Sequence, residues 1–308
     1  MNLRYKLARA TALPVRAEPM NPGTGVQELE RALLDQQTST IASSPTHSAA
    51  AAPLPPKGSP PSFLARMAQG EIELLAVCSH PSTNQPWWRP DGTPWANAGF
   101  ENITRHESVT KGRRFEFAFQ RRGLPKDTSL EYSFEPGALE LSWADQPRRQ
   151  GKSLPDHNLA VALLPESATE VNLTLGVAAG DWKAMMTRTP QAGASGSFQL
   201  GAQTCRALFL DPVESSGEAR VAVSYNKVPG WTVRVTAVDT SGKLHESFPH
   251  MASHDNVAVA EGRFTGLRLD EVKEFRFEAR PYTYVEFRNL SLEPGKRTQV
   301  EVVETKGD

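Results

Sequence analysis

The segment HESFPHMASHD, residues 245–255, concentrates histidines and acids that could ligate a metal ion. A zinc peptidase helix carries HExxH, because histidines four positions apart project from the same side of a helix. Here the second histidine comes one position late, and Pro249 interrupts any helix. We therefore expect a polar connecting loop without a metal. The alternative is a metal-dependent hydrolase, whose only plausible ligands are His245, Glu246, His250 and His254.

Other catalytic signals are missing from the sequence. It contains no GxSxG motif, no phosphate-binding glycine loop and no GxGxxG after a strand. The two cysteines, Cys78 and Cys205, lie in apolar strand-like runs, so we expect two buried free thiols, with a single bridge as the alternative. We predict no cofactor and no enzymatic activity.

The segment HPSTNQPWWRPDG, residues 80–92, predicts an ordered loop rich in turns. Adjacent residues of an extended chain point to opposite sides, so we expect one of Trp87 and Trp88 to be exposed. An exposed indole, with Arg89 and Asp91 beside it, could stack on a sugar or contact a partner protein. We favour the other interpretation of this ring, in which it covers the open end of a sandwich.

The balance of charges and the length of the apolar runs limit which classes of protein this chain can belong to. Lys plus Arg (34) nearly balances Asp plus Glu (35), so nothing in the net charge favours nucleic acid as a partner. No apolar run is long enough for a membrane span, and the first residues lack the apolar region of a signal peptide. We expect a globular protein without a direct membrane span.

From residue 71 onward the apolar residues recur every second position, which is typical of strands with one buried face. RRFEFAFQ places Phe115, Phe117 and Phe119 on one side and polar residues, including Glu116, on the other. Four further segments repeat the pattern: Leu139/Leu141/Trp143, Val171/Leu173/Leu175/Val177, Val221/Val223/Tyr225 and Trp231/Val233/Val235/Ala237. Short strands separated by glycine-containing turns predict an all-β, antiparallel β-sandwich fold.

The longest strand-like segment is VKEFRFEARPYTYVEFRNLSL. Its apolar face continues through Pro281, which lacks a backbone donor and so is expected at an edge or a bulge. The opposite face carries Arg280, Tyr282 and Tyr284, and we expect these three side chains to be an exposed contact surface.

The chain divides by composition into three parts. Residues 1–62 predict a flexible tail with a short helix at 25–37 and a Pro/Ala-rich linker. The glycine-rich segment 191–197 is the expected break between a lobe at 63–190 and a lobe at 197–308. One sandwich of two sheets and two separate sandwiches both remain open.

Four segments together resemble a poorly characterised β-rich domain at the C-terminal end of large bacterial regulatory proteins. They are GEIELLAVCSHPSTNQPWWRPDG, LTLGVAAGDWK, VRVTAVDTSGKLHE and VKEFRFEARPYTYVEFRNLSLEPG. The resemblance covers about residues 70–303, and KEFRF...RPY...VEFRN is its most specific part. In those relatives the domain is linked to membrane-bound antirepressor-type zinc metallopeptidases or to sigma-factor modules.

The resemblance implies a non-catalytic sensing or interaction domain of a bacterial signalling or regulatory system, located outside the cytoplasm if the chain is part of a membrane regulator. The zinc motif of the metallopeptidase relatives is absent from this sequence, so no peptidase activity is expected. The implied partner is a protein or glycan ligand, and a structural role in the cell envelope is a further alternative. The expected ligand-binding residues are Trp87, Trp88, Arg89, Asp91, Arg280, Tyr282 and Tyr284.

Overall fold

The computed structural model describes residues 62–80, 85–96, 98–101, 111–143, 147–149, 151–247, 250–254 and 256–305. The predicted helix at 25–37 and the linker lie outside these residues. In chain order the strands are β1 (Leu64–Met67), β2 (Gly70–Ser79), β3 (Trp87–Trp88), β4 (Phe100–Glu101), β5 (Arg113–Arg122), β6 (Ser129–Glu135), β7 (Glu140–Trp143), β8 (Arg148–Arg149), β9 (Lys152–Ser153), β10 (His157–Leu164), β11 (Glu170–Ala178), β12 (Lys183–Arg188), β13 (Ser195–Leu200), β14 (Gln203–Phe209), β15 (Val213–Ser215), β16 (Glu218–Asn226), β17 (Trp231–Asp239), β18 (Leu244–Glu246), β19 (His250–His254), β20 (Val257–Phe264), β21 (Val272–Pro281), β22 (Thr283–Ser291) and β23 (Glu301–Thr305).

All strand pairs are antiparallel in the described part of the chain, and the predicted all-β sandwich fold is confirmed. The helical content there is one 3-10 turn, Leu269–Glu271. Within the described residues no helix is both long and apolar enough to cross a membrane.

The first sandwich packs two sheets face to face. One sheet has the order β1-β2-β5-β10-β7, with β3 added beside β2, and the other has the order β23-β22-β11-β6. Phe115, Phe117 and Phe119 are buried against Leu173 and Phe287 of the opposite sheet. Each buried phenylalanine contributes about 1.5–3 kcal/mol of transfer free energy, so this alternating face stabilises the pairing of the sheets.

The other face of the β2–β5–β10 sheet is also covered, which the sequence did not predict. Trp87, Ala98 and Phe100 pack there against Ala118 and Leu159. The expectation that Glu116 faces solvent is therefore wrong. Its carboxylate is fully buried, with Oε1 2.6 Å from Nδ1 of His80. A strand with apolar layers on both sides must satisfy its polar side chains internally.

The second sandwich packs a sheet of order β12-β21-β17-β18 on a sheet of order β13-β14-β16-β20-β19, with β15 beside β16. Its core contains the predicted inward residues of β16, β17 and β21. These include Val221, Val223, Tyr225, Val233, Val235, Ala237, Phe275 and Phe277. The two-residue period thus predicted these inward faces correctly.

The second sandwich is inserted between two paired strands of the first. β12 pairs with β21 in the second sandwich, whereas β11 pairs with β22 in the first. The expected break at 191–197 does not coincide with this division, because the chain enters the second sandwich before residue 183 and leaves it after Pro281. Pro281 ends β21 and Thr283 begins β22, so the segment expected to be one strand supplies two strands of different sandwiches.

The expectation that Leu139 and Leu141 face inward is wrong, and the side chain of Trp143 lies outside the described residues. Leu139 and Leu141 are 60% and 43% exposed. β7 is the last strand of its sheet and pairs only with β10 among the described strands.

Candidate functional site

The histidine-rich segment contains two short strands instead of the expected loop. β18 extends the β17–β21 sheet, whereas β19 extends the β16–β20 sheet. His250 and His254 lie on β19, and their side chains are outside the described residues. Among the described residues, no group of three or more His, Cys, Asp or Glu side chains could hold a metal ion.

His245 has a structural partner. Its Nε2 lies 2.8 Å from Oδ2 of Asp239, while Oδ1 of Asp239 accepts hydrogen bonds from the backbone N–H groups of Ser241 and Lys243. The hydrogen bond with His245, followed by that from Ser241, holds the pKa of Asp239 well below its ordinary value. The imidazole therefore closes the turn that joins β17 to β18.

Both tryptophans of the 80–92 segment are buried, so the expectation that one is exposed is wrong. Trp87 packs on the outer face of the β2–β5–β10 sheet against Phe100, with ring centroids 5.2 Å apart. Trp88 enters the first core, and its Nε1 donates a hydrogen bond of 2.8 Å to the carbonyl of Ser291. The two rings do point to opposite sides, but each side is an apolar layer.

Arg89 and Asp91 also have structural contacts. The guanidinium of Arg89 lies 4.9 Å from the centroid of the Trp95 ring. The Asp91 carboxylate accepts a 3.0 Å hydrogen bond from the backbone N–H of Thr93, which closes the turn.

The 89–92 turn is held against the end of β22 and the segment that follows it. The backbone N–H of Ser291 donates to the carbonyl of Pro90 at 2.8 Å. The N–H of Gly295 donates to the carbonyl of Gly92 at 2.8 Å, and that of Thr298 donates to the carbonyl of Asp91 at 3.1 Å. The structure therefore gives this predicted contact surface a role in holding the first sandwich together.

Arg280 is 1% exposed, which corrects the expectation of a surface side chain. Its Nη1 lies 3.0 Å from Oδ2 of Asp127 and 3.2 Å from the carbonyl of Gly180, and its Nη2 donates to the carbonyl of Asp127. Its guanidinium carbon lies 4.0 Å from the centroid of the Trp182 ring. Arg280 thus connects the end of β21 to the β5–β6 loop of the first sandwich.

The Trp182 ring contacts a second cation. The guanidinium carbon of Arg234 lies 4.4 Å from its centroid, and the Trp182 Nε1 donates a 2.9 Å hydrogen bond to Asp127. Partial burial by itself would raise the pKa of the Asp127 carboxyl, because it disfavours the charged form. The hydrogen bond from Trp182 and the charges of Arg280 and Arg234 outweigh that effect and keep the pKa of Asp127 below its ordinary value.

A cavity of about 390 Å³ lies where the chain passes between the two sandwiches. We call it the junction pocket. Tyr282 and Tyr284, both predicted as site residues, line this pocket. Other lining side chains come from each of the two sandwiches. The others that matter chemically are Glu131, Cys205, Tyr225 and Trp231. The remaining predicted residues, from the 87–91 segment and Arg280, do not line this pocket.

One wall of the junction pocket is built across three strands. Glu131 of β6 and Tyr284 of β22 both pair with Gly176 of the intervening β11. Because Gly176 has no side chain, the two neighbours meet above it, and the Tyr284 hydroxyl donates a 2.5 Å hydrogen bond to Oε1 of Glu131. Burial, and then the hydrogen bond to Glu131, raise the pKa of Tyr284, so this hydroxyl keeps its proton.

The opposite side of the junction pocket comes from the second sandwich. Trp231, at the start of β17, is half-buried, and Tyr225 packs its ring on Phe277 with centroids 5.3 Å apart. Tyr282 is almost fully buried, and its ring centroid lies 6.1 Å from that of Tyr284. The pocket is therefore rich in aromatic surface, with one carboxylate held in place on one wall.

The two cysteines are free and buried, which confirms that expectation. Burial raises the pKa of Cys205 to about 11, and burial together with the charge of Glu116 raises the pKa of Cys78 to about 12. Both thiols therefore stay protonated near neutral pH, and the Cys205 thiol in the junction pocket is not an activated nucleophile.

Glu131, Tyr225 and Trp231 are candidate ligand contacts that the sequence did not predict. One signal for this wall was present in VNLTLGV, where Gly176 interrupts the outward row of β11. A glycine inside a strand often indicates the close approach of other groups. No signal linked β6 to β22, because they are brought together only by their shared neighbour.

Comparisons with protein-family models, with curated proteins and with solved structures found no match for this chain.

Proposed function

We propose that this chain is a non-catalytic sensing or interaction module that binds a ligand, a glycan or part of a protein, in the junction pocket. The observation that carries the proposal is the pocket itself, with aromatic side chains from both sandwiches around the Glu131–Tyr284 pair. Its volume of about 390 Å³ falls within the range of about 300–1,000 Å³ that is typical of small-molecule sites. Such sites form preferentially between domains, where two rigid bodies supply different walls.

The titratable groups of the junction pocket favour binding over catalysis. The Cys205 thiol and the Tyr225 hydroxyl both have pKa values raised by burial, to about 11 and about 12. Neither provides a nucleophile or a base near neutral pH. A carboxylate that already accepts a hydrogen bond from Tyr284 is suited to orienting a bound group.

Isothermal titration calorimetry on the full chain tests the proposal with four probes: a neutral disaccharide, choline, a short basic peptide and a short acidic peptide. We expect at least one probe to bind with one-to-one stoichiometry. Trp231→Ala should weaken that binding at least tenfold, since it removes the half-buried indole of the pocket. Trp95→Ala is the matched control, because Trp95 is also half-buried but lies outside the junction pocket.

Far-ultraviolet circular dichroism would establish that both variants remain folded. No binding of any probe, or equal binding by wild type and Trp231→Ala, would contradict the proposal.

We further propose that the module serves a bacterial signalling or regulatory system outside the cytoplasm. The support is the resemblance of residues 70–303 to C-terminal domains of bacterial regulatory proteins. Alkaline phosphatase fused to the complete reading frame at its native chromosomal locus tests the location, since that enzyme is active only after export. An inactive fusion, together with an active cytoplasmic reporter fusion, would refute it.

A further inference from the structure

We infer that the junction pocket selects an uncharged sugar unit over charged ligands. This inference rests on the proposed function and narrows its ligand to one chemical class. Four properties of the pocket support it: its charge, its hydrogen-bonding groups, its aromatic surface and its size.

The charges that line the junction pocket cancel. Among its lining residues, Glu131 is the acid and Lys227 is the base. Burial keeps the Cys205 thiol and the Tyr225 and Tyr284 hydroxyls protonated near neutral pH, because it raises the pKa of each group. A lining of one negative and one positive group offers no net attraction to either a cation or an anion.

The polar groups of the junction pocket match hydroxyls. The Asn226 side chain is already used, since its Oδ1 accepts from the backbone of Arg206 and its Nδ2 donates to the carbonyl of Thr204. The Glu131 carboxylate lines the pocket as an acceptor, and the exposed Lys227 ammonium and the Trp231 indole N–H line it as donors. A sugar hydroxyl both donates and accepts, so it is suited to a lining that offers both kinds of group.

The aromatic surface fits the C–H face of a sugar ring. Trp231 and Tyr284 are half-buried, and they come from different sandwiches. A β-carbon placed on Gly230 would lie 3.9 Å from the Tyr284 hydroxyl, so the residue before Trp231 is adjacent to that tyrosine. Rings that are apolar on the face and polar at the tip suit an amphipathic ligand.

Two features disfavour a cationic ligand. Aromatic rings around a carboxylate attract an ammonium group when the carboxylate is free of a competing cation. Here the lining also carries the positive charge of Lys227, and Glu131 already accepts a hydrogen bond from Tyr284. The cavity of about 390 Å³ has room for a mono- or disaccharide unit.

Tryptophan fluorescence and calorimetry on the full chain test the inference. The probes are neutral disaccharides (cellobiose and N,N'-diacetylchitobiose), the cationic disaccharide of glucosamine, a glucuronic acid disaccharide and choline. We expect a neutral disaccharide to bind at least tenfold more tightly than each charged probe. Trp231→Ala should reduce that affinity at least tenfold, and Glu131→Gln at least threefold.

Lys227→Gln tests the role of charge separately. It leaves the pocket lining net negative, so the affinity for the glucosamine disaccharide should rise several-fold while that for the neutral disaccharide changes little. An unchanged ratio between the two affinities would contradict the charge argument.

The outcomes separate this inference from the proposed function. Binding of choline or a charged disaccharide, but of no neutral one, that is lost in Trp231→Ala overturns the sugar inference and leaves the pocket as a ligand site. Neutral-sugar binding that survives Trp231→Ala combined with Tyr284→Ala overturns both. If no probe binds, the sugar inference is also refuted.

Discussion

The Tyr284 hydroxyl donates a hydrogen bond to Glu131 across Gly176, so residues on two strands that do not pair with each other form one polar contact. The contact exists because the middle strand has no side chain at that position. It lies on the outer face of the first sandwich, where it lines the junction pocket. The glycine therefore controls both the packing and the chemistry of this wall.

Gly176→Ala should disrupt this wall. A β-carbon there would lie 2.8 Å from Cγ of Glu131 and 2.9 Å from Cε1 of Tyr284, so both side chains must move apart. We expect the free energy of unfolding to fall by about 1–3 kcal/mol, as for other overpacked sites. Urea unfolding followed by circular dichroism measures the loss. Gly193→Ala is the control, since its β-carbon meets nothing within 4 Å, and an equal loss in both variants would contradict the explanation.

Arg280→Met should weaken the connection between the two sandwiches. It removes the charge that pairs with Asp127 and leaves the carbonyls of Asp127 and Gly180 without this donor. We expect a loss of about 2–3 kcal/mol in the free energy of unfolding, because the charged hydrogen bonds of a buried guanidinium and its contact with the Trp182 ring are lost together. Differential scanning calorimetry and urea unfolding both report this change.

Arg288→Met provides the comparison for Arg280. Arg288 pairs with Glu286 at 2.7 Å, but its side chain is 43% exposed. An exposed ion pair contributes less than about 1 kcal/mol. If the two substitutions cost the same, burial is not what makes Arg280 important.

The inward faces of the strands could be predicted from sequence, because the two-residue period depends only on local geometry. Val171, Leu173 and Leu175 are buried as expected, and so are Phe275 and Phe277. The outward faces could not be predicted, since their burial depends on which distant segment covers them. Trp87 is buried because it packs with Ala98 and Phe100 on the back of the sheet, against Ala118 and Leu159.

The assignment of strands to the two sandwiches also could not be predicted from the sequence. Tyr282 and Tyr284 follow Arg280 without a break in the alternating pattern, yet Arg280 belongs to β21 of one sandwich and Tyr284 to β22 of the other. Only strand pairing between residues far apart in the sequence distinguishes the two. The same non-local pairing places Glu131 beside Tyr284 and so builds the pocket.

Gly92→Ala should be strongly destabilising. Its φ of +85° is unfavourable for a side chain, and a β-carbon would lie 2.0 Å from the carbonyl oxygen of Lys296. The backbone hydrogen bonds that hold the 89–92 turn to the segment after β22 must then break, and we expect a loss of about 2–4 kcal/mol. Thermal unfolding of the purified variant measures it.

Gly266→Ala separates the backbone strain at Gly92 from the steric clash. Gly266 has a φ of +73°, but its β-carbon would meet nothing within 4 Å. The variant should therefore lose only what a left-handed backbone costs an alanine, about 1–2 kcal/mol. Equal losses at the two glycines would show that contact with residue 296 is unimportant.

Stability should decrease in acid partly through Asp239. The hydrogen bonds from His245 and Ser241 make the pKa of this carboxyl lower in the folded chain than in the unfolded one. Such a group stabilises the fold fully above its unfolded pKa of about 4, and the contribution is lost as pH falls through that value toward the folded pKa. Urea midpoints measured from pH 6 down to pH 3 should therefore fall less steeply for Asp239→Asn than for wild type. Asp156→Asn, at an exposed aspartate, should retain the wild-type slope, and a slope unchanged in Asp239→Asn would show that this turn does not contribute to acid sensitivity.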